Sequence, residues 1–440
     1  MAYKLTNHTV LRGGWGIFTN LIPTVFPDQA AVGFPFASFS SVQHPTYSLT
    51  PLSVAGLPNV VDLQGNILPP NGDTKRIKPN TPVNLAPIAN FFGSPIVINL
   101  TSLHLRNGYT MSGNFTVEQE LPGEITLQAG YVSNNAVGLY ASEWPNAYTG
   151  ADASLTPFTN INPGLGEFQL TDNHAHSTYN SLQAVFRKVS RRHGLQFQVS
   201  YTWSKALDNA STVWNASVPN GALLQNNPTC WSCEKGPAGF DVPQILAANL
   251  IYQIPLDTWG GFTRLPKKLT QGWGITAIVR AQSGFPFTVT SPYGTKRYGT
   301  DTYTGFQPTR PDLVQTPTLR SGGHTEEQFF SDAVVADGVN IGQQFFATPG
   351  GAVNGIQDHP GNLGRNTFRA PSFSNADLSI VKDTKITETC GIQFRSEFFN
   401  LLNQHAFQSP EAVLGNPGFG RSTATDLPER QIQLALRFIF

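Results

Sequence analysis

The sequence predicts an all-β fold: an antiparallel transmembrane β-barrel with about ten strands and long loops at one end. Three observations carry this reading. Apolar and polar residues alternate with period two in segment after segment, the periodicity of a strand with two different faces. Only 13% of the 440 residues are charged, against roughly 25% in an ordinary soluble domain. The predicted strands are joined by connections that alternate between short and very long, the pattern of a barrel with tight turns at one rim and large loops at the other.

The last segment, "RQIQLALRFIF", shows the alternation most plainly. Ile432, Leu434, Leu436, Phe438 and Phe440 fall on one side, and Gln431, Gln433, Ala435 and Arg437 on the other. Chain ends usually fray because little ties them down, so a strand pattern running to the final phenylalanine is notable. In "LQFQVSYTWS", Leu195, Phe197, Val199, Tyr201 and Trp203 oppose Gln196, Gln198, Ser200, Thr202 and Ser204. "YNSLQAVFRK" sets Leu182, Ala184 and Phe186 against Gln183, Val185 and Arg187, and "RRHG" joins it to the preceding pattern as a hairpin. A second hairpin centres on Pro122-Gly123. A third joins "FSNADLSIVKDT" to "CGIQFRSEFFNLL".

"QILAANLIYQIPL" admits a short helix, but its flanking prolines and β-branched residues favour a strand. "GWGITAIVRAQSGFPFTV" and the glycine-rich "TVLRGGWGIF" complete the set. The predicted strands are 8–18, 109–121, 124–135, 177–190, 195–208, 241–256, 270–287, 373–387, 389–406 and 430–440. Long connections then cover 19–108, 136–176, 209–240, 288–372 and 407–429. Structureless loops of such length argue against a compact soluble domain. Each strand reaches the about 9–11 residues that cross a bilayer at a steep tilt. Aromatic residues near strand ends, Tyr201, Trp203, Trp273, Phe438 and Phe440, suit an interfacial girdle. The competing source of such alternation is a soluble sandwich with one wet face.

Composition narrows the function. The chain has 28 basic and 28 acidic residues, so no net charge draws it to nucleic acid or an anionic membrane. It has 41 glycines and 33 prolines, too many for long helices. No apolar run is long enough for a transmembrane helix, and "MAYKLTNHTV" contains no apolar h-region of a signal peptide. Cys230 and Cys233 form a C-x-x-C pair in loop-like surroundings, which reads as an inert or locally disulfide-bonded pair ahead of metal or redox chemistry.

No catalytic constellation stands out, so an enzyme is not expected, and neither a cofactor nor a resident metal. "DNHAH" places His174 and His176 on one side of an extended chain, a possible half metal site that reads first as surface histidines in a loop. "GNLGRN" has glycine spacing without the strand-to-helix context of a phosphate loop. "HTEEQFF" (324–330) reads as a solvated loop helix, with a cation site as its minor reading. If the apolar side faces lipid, Arg187, Arg280, Arg395, Glu397 and Arg437 point into the lumen, because charge at mid-bilayer on the lipid face costs about 2–4 kcal/mol.

Several stretches resemble the C-terminal part of TonB-dependent receptors, nearest to those with an N-terminal carboxypeptidase-regulatory-like domain. They are "AYKLTNHTVLRGGWGIF", "ELPGEITLQAGYVSN", "LQFQVSYTWSKALDNAS", "RAQSGFPFTV", "GNLGRNTFRAPSFSNADLSIVKD", "FRSEFFNLLNQHAF" and "NPGFGRSTATDLPERQIQLALRFIF". Together they span nearly the whole chain. Ala370, where the family usually has Gly, and "DVPQ", in place of an Asp-Arg-Arg-His stretch, depart from it. The resemblance implies an outer-membrane transporter for a bulky nutrient such as an oligosaccharide, siderophore or peptide, bound by the long extracellular loops. It implies that Phe438 and Phe440 form a signal read by the barrel-assembly machinery, and that "GNLGRN" is a structured loop. It also implies that residues 1–440 are one piece of a roughly 22-stranded barrel. The chain would then be a C-terminal fragment, a truncated gene or a separately cut region; a misassigned Met1 would place signal peptide, plug and TonB box upstream, and coupling to the TonB complex would run through that plug. The other expectations are a small autonomous barrel or adhesin without energy coupling, and a secreted soluble carbohydrate-binding β-protein.

Overall fold

In the computed structural model the described residues are 1–22, 61–62, 83–92, 96–102, 104–143, 145–146, 162, 164–189, 194–211, 227, 230–291, 310–317, 329–330, 345–347, 349, 359–416 and 418–440. One antiparallel sheet dominates. Its strands are β1 (Ala2–Lys4), β2 (Thr9–Asn20), β3 (Gly108–Leu121), β4 (Ile125–Glu143), β5 (Leu165–Val189), β6 (Leu195–Asp208), β7 (Gln244–Ile254), β8 (Trp273–Gln282), β9 (Phe373–Lys385), β10 (Gly391–Phe399) and β11 (Gln431–Ile439). They lie side by side in chain order from β1 to β11. Every neighbouring pair in this order is antiparallel. Ile96–Thr101 adds a parallel pairing on β5, and Gly236–Pro237 pairs with the end of β6. Among the described residues no hydrogen-bonded pairing joins β1 to β11, so the sheet is an open meander.

All ten predicted strands are present, together with the short β1. The "QILAANLIYQIPL" segment is the strand β7 rather than a helix. Boundaries differ where turn chemistry or a bulge intervenes. Strand 270–287 ends at Gln282, and Pro286–Phe287 leaves to pair with Phe368–Arg369. Strand 389–406 ends at Phe399, where Asn400 and Asn403 take positive φ and turn the chain. The largest difference is in 136–176, expected as loop: β4 runs on to Glu143 and β5 begins at Leu165.

Short connections gather at one end. At the Pro122-Gly123 turn, Leu121 pairs with Ile125 while Gly123 and Glu124 adopt φ of 85° and 61°. Residues 191–193 of "RRHG" lie outside the described residues, but Val189 pairs with Gln196 across that hairpin. Gly272 closes the β7–β8 connection at φ 80°, where a Cβ would stand 2.1 Å from the Asp383 carbonyl oxygen. Only glycine meets both demands.

The opposite end carries a folded layer with its own core. Phe287, Val289, Phe330, Phe345, Phe346, Leu363, Phe368, Leu414 and Phe419 are buried together. Phe330 stacks on Phe419 at 5.5 Å and meets Phe346 edge-on at 5.6 Å, within the range of favourable aromatic pairs. This corrects the solvated reading of "HTEEQFF": its last residue, Phe330, is wholly buried, while 324–328 lie outside the described residues.

Candidate functional site

The strand register sorts the side chains onto two faces. On one face the rows are apolar. Phe115, Tyr131, Leu182 and Trp203 stand side by side on β3 to β6. Phe197, Leu250, Ala277, Leu378, Phe398 and Ile432 do so on β6 to β11. Many of these are solvent-accessible despite their size, among them Trp15, Phe115, Trp203, Ile432, Leu434, Leu436 and Phe438. A contiguous apolar face of this extent is foreign to a soluble monomer.

The other face is mostly polar. One of its rows reads Thr126, Arg187, Gln198, Asn249, Ile278 and Asp377 from β4 to β9. All five predicted inward charges lie on this face. Arg187 is opposite Gln198, Arg280 opposite Asn375, Arg395 opposite Val381, Glu397 opposite Ser379, and Arg437 opposite Gln393. They are spread over β5, β8, β10 and β11 and do not converge on one point. Arg395 Nη2 pairs with Glu397 at 2.7 Å, Arg280 donates to Gln282 at 2.9 Å, and Arg12 pairs with Glu118 at 3.3 Å on the same face. Ile251 and Ile278 interrupt the polar rows.

The charge the sequence did not single out lies at the long-loop end, in three ion pairs whose carboxylates are buried. Arg310 grips Glu234 through two bonds, at 2.6 and 3.1 Å. Arg365 binds the carboxylate and carbonyl of Asp208 and the carbonyl of Glu234. Arg369 pairs with Asp241, whose other carboxylate oxygen accepts the Ala206 N–H at 2.6 Å. Asp208 ends β6 and Asp241 precedes β7, so Arg365 and Arg369 clamp the loop layer onto the strand ends, while Arg310 and Glu234 tie the loop layer to itself. Arg365 belongs to "GNLGRN", which is a structured loop: a Cβ on Gly361 would stand 2.0 Å from the Arg310 carbonyl oxygen. Asp208, Arg365 and Arg369 lie in segments that carry the resemblance, whereas Glu234, Asp241 and Arg310 had no sequence signal.

Beside this layer, "DNHAH" lies in β5, not in a loop. The register between β4 and β5 shifts twice there, between Val137 and Leu139 and between Leu139 and Ala141. Such bulges re-aim side chains. His174 Nε2 comes to 3.5 Å from Asp172 Oδ2 and 3.7 Å from Glu143 Oε2. His174 stacks on Trp231 at 5.3 Å, and the indole N–H of Trp231 donates to Glu143 at 3.0 Å. His176 is not part of this cluster. Trp231 sits between Cys230 and Cys233, which are disulfide-bonded as one of the sequence readings expected.

The family model described as "Outer membrane beta barrel domain" matches residues 1–433. The chain belongs to this outer-membrane β-barrel family. The apolar face of its sheet is the one a barrel turns to lipid, and the polar face is the one it turns inward. No curated protein sequence matches this chain. Among solved structures it is similar to the outer membrane transporter YddB from Escherichia coli, at 12% identity and a TM-score of 0.37, over 78% of this chain and 34% of that one. It is similar to the siderophore receptor PirA from Acinetobacter baumannii, at 8% identity and a TM-score of 0.39, over 100% of this chain and 40% of that one. The FrpB iron transporter from Neisseria meningitidis matches at 10% identity and a TM-score of 0.34, over 78% and 33% of the two chains. The barrel domain thus spans about a third to two fifths of the length of these transporters and receptors.

Proposed function

We propose that this barrel domain is the C-terminal part of a TonB-dependent receptor that takes up a bulky nutrient through the outer membrane. An oligosaccharide, a siderophore or a peptide fits the class. The observation that supports it most is the division of one sheet into an apolar face, a polar face and a loop layer at one end with its own core. The apolar rows fit lipid, the polar rows fit a hydrated lumen, and the clamped loops fit a rigid platform for recognition. The motif resemblance adds the energy-coupled type and an upstream carboxypeptidase-regulatory-like domain and plug.

In this reading the loop layer faces outside, and Arg187, Arg280, Arg395, Glu397 and Arg437 line the lumen or meet the plug. Phe438 and Phe440 present the assembly signal. Phe438 pairs with Ile392 on the apolar face, and Phe440 follows the last strand almost fully exposed.

The test is uptake in cells producing the full-length receptor, supplied in turn with labelled oligosaccharides, siderophores and peptides. Uptake of one class is expected to disappear when either the receptor or TonB is removed. Uptake that persists without TonB would overturn the energy-coupled reading. Within the same assay, Arg395→Leu is expected to lower uptake while leaving the amount of folded receptor in the membrane unchanged. Unchanged uptake would remove Arg395 from the plug-contact set.

A further inference from the structure

We propose that Glu143, Asp172 and His174 form a binding site for a divalent metal ion of the zinc class. The site stands at the long-loop end of β4 and β5 and does not depend on the transport reading.

The donor set is mixed: one imidazole nitrogen and two carboxylates, all offering ligand atoms within 4.8 Å of one another. The separations are the first argument. His174 Nε2 lies 3.5 and 3.7 Å from the two carboxylate oxygens. That is beyond the usual N–H···O range of about 2.7–3.2 Å. Ligands about 2.0–2.2 Å from one tetrahedral ion stand about 3.3–3.6 Å apart; the His174–Asp172 separation falls in that range, the His174–Glu143 separation is about 0.1 Å beyond it, and the three ligand atoms lie within 4.8 Å of one another.

The outer contacts are the second argument. Metal-binding side chains are held in place by a further layer of hydrogen bonds. The Trp231 N–H donates at 3.0 Å to Glu143 Oε2, the same oxygen that faces His174, and the Asn173 backbone N–H fixes Asp172 through Oδ1 at 2.7 Å, leaving Oδ2 toward His174. Trp231 also holds the imidazole ring by stacking nearly parallel to it, at an interplanar angle of 17°. The disulfide fixes the turn that carries Trp231.

The third argument is charge. Two carboxylates are brought together here, and among the described residues neither meets a lysine or an arginine. Among the described residues His174 is the only basic group that pairs with them. His174 falls within the second register shift between β4 and β5, between Ala175 and Asp172, and regular pairing resumes from Asp172 and Ala141 to Glu143. A nitrogen with two oxygens suits zinc, with water completing the shell, better than calcium, which takes oxygen ligands alone.

The experiment is calorimetric titration of Zn2+ into metal-stripped protein purified in detergent from outer membranes. One saturable equivalent is expected. His174→Ala and Asp172→Asn should each weaken it at least tenfold with an unchanged far-UV circular dichroism spectrum. His405→Ala, a histidine outside the cluster, should leave it unchanged. Trp231→Phe, which keeps a ring but removes the N–H, should weaken it by a smaller factor. Absence of saturable binding, equal binding by wild type and His174→Ala, or binding of Ca2+ in place of Zn2+ would overturn the proposal. Should the variants fail to fold, X-ray absorption of the zinc-loaded wild type decides. One nitrogen and only oxygens besides are expected, and a shell with sulfur or several imidazoles would overturn it.

Discussion

A single position on a barrel strand is defined by which face it occupies. Leu250 lies in the apolar row with Phe197 and Ala277, while its neighbour Asn249 lies in the polar row with Gln198 and Ile278. Leu250→Arg should therefore destabilise the protein by about 2–4 kcal/mol near mid-bilayer, and Asn249→Arg by much less. Denaturant unfolding in phospholipid vesicles measures both. At Gly272 the positive φ and the nearby Asp383 carbonyl act together. Gly272→Ala should cost more than about 1 kcal/mol in the same assay. Face assignment was legible in the sequence because the period is two and needs no knowledge of the partner strand. The ion pairs were not legible, because Glu234 and Arg310 are 76 residues apart and no local pattern joins them. The Glu143–Asp172–His174 cluster was only half visible. Its two histidines were noticed as a pair, but only His174 takes part, and Glu143 arrives from the neighbouring strand across a bulge.

Among the elements, the strands and the loop layer are stabilised by different forces. The strands are held by ladder hydrogen bonds and by lipid around them. The loop layer is held by nine buried apolar residues among those described, by Arg365 and Arg369, whose carboxylate partners sit at strand ends, and by Arg310, whose partner Glu234 lies in the loop layer itself. Breaking a buried pair leaves a desolvated charge and costs about 3–5 kcal/mol. Glu234→Ala should therefore loosen the loop layer around Arg310 while leaving the sheet intact. Limited proteolysis should show new cuts in the loops, with β-sheet circular dichroism retained. Strand positions were legible in the sequence, whereas strand ends were not. β4 and β5 run beyond the segments whose alternation is clean, since two bulges break the period there. Loops expected to be solvated instead bury phenylalanines such as Phe330, whose partners come from distant segments.

For the whole molecule, eleven strands in sequential order form an open sheet among the described residues. The exposed apolar side chains of β11 and the accessible apolar rows make sense only if something other than water covers them. The family match gives that cover as the outer membrane. The most direct test is to place nitroxide labels singly at residues 246 to 252 of β7, in a Cys390→Ser background, and to measure oxygen and nickel-chelate accessibility in bilayers. Strict alternation is expected: 246, 248, 250 and 252 open to lipid-dissolved oxygen, and 247, 249 and 251 open to the aqueous chelate or shielded from lipid. Uniform water accessibility along the strand, or no period of two, would contradict a membrane-spanning sheet.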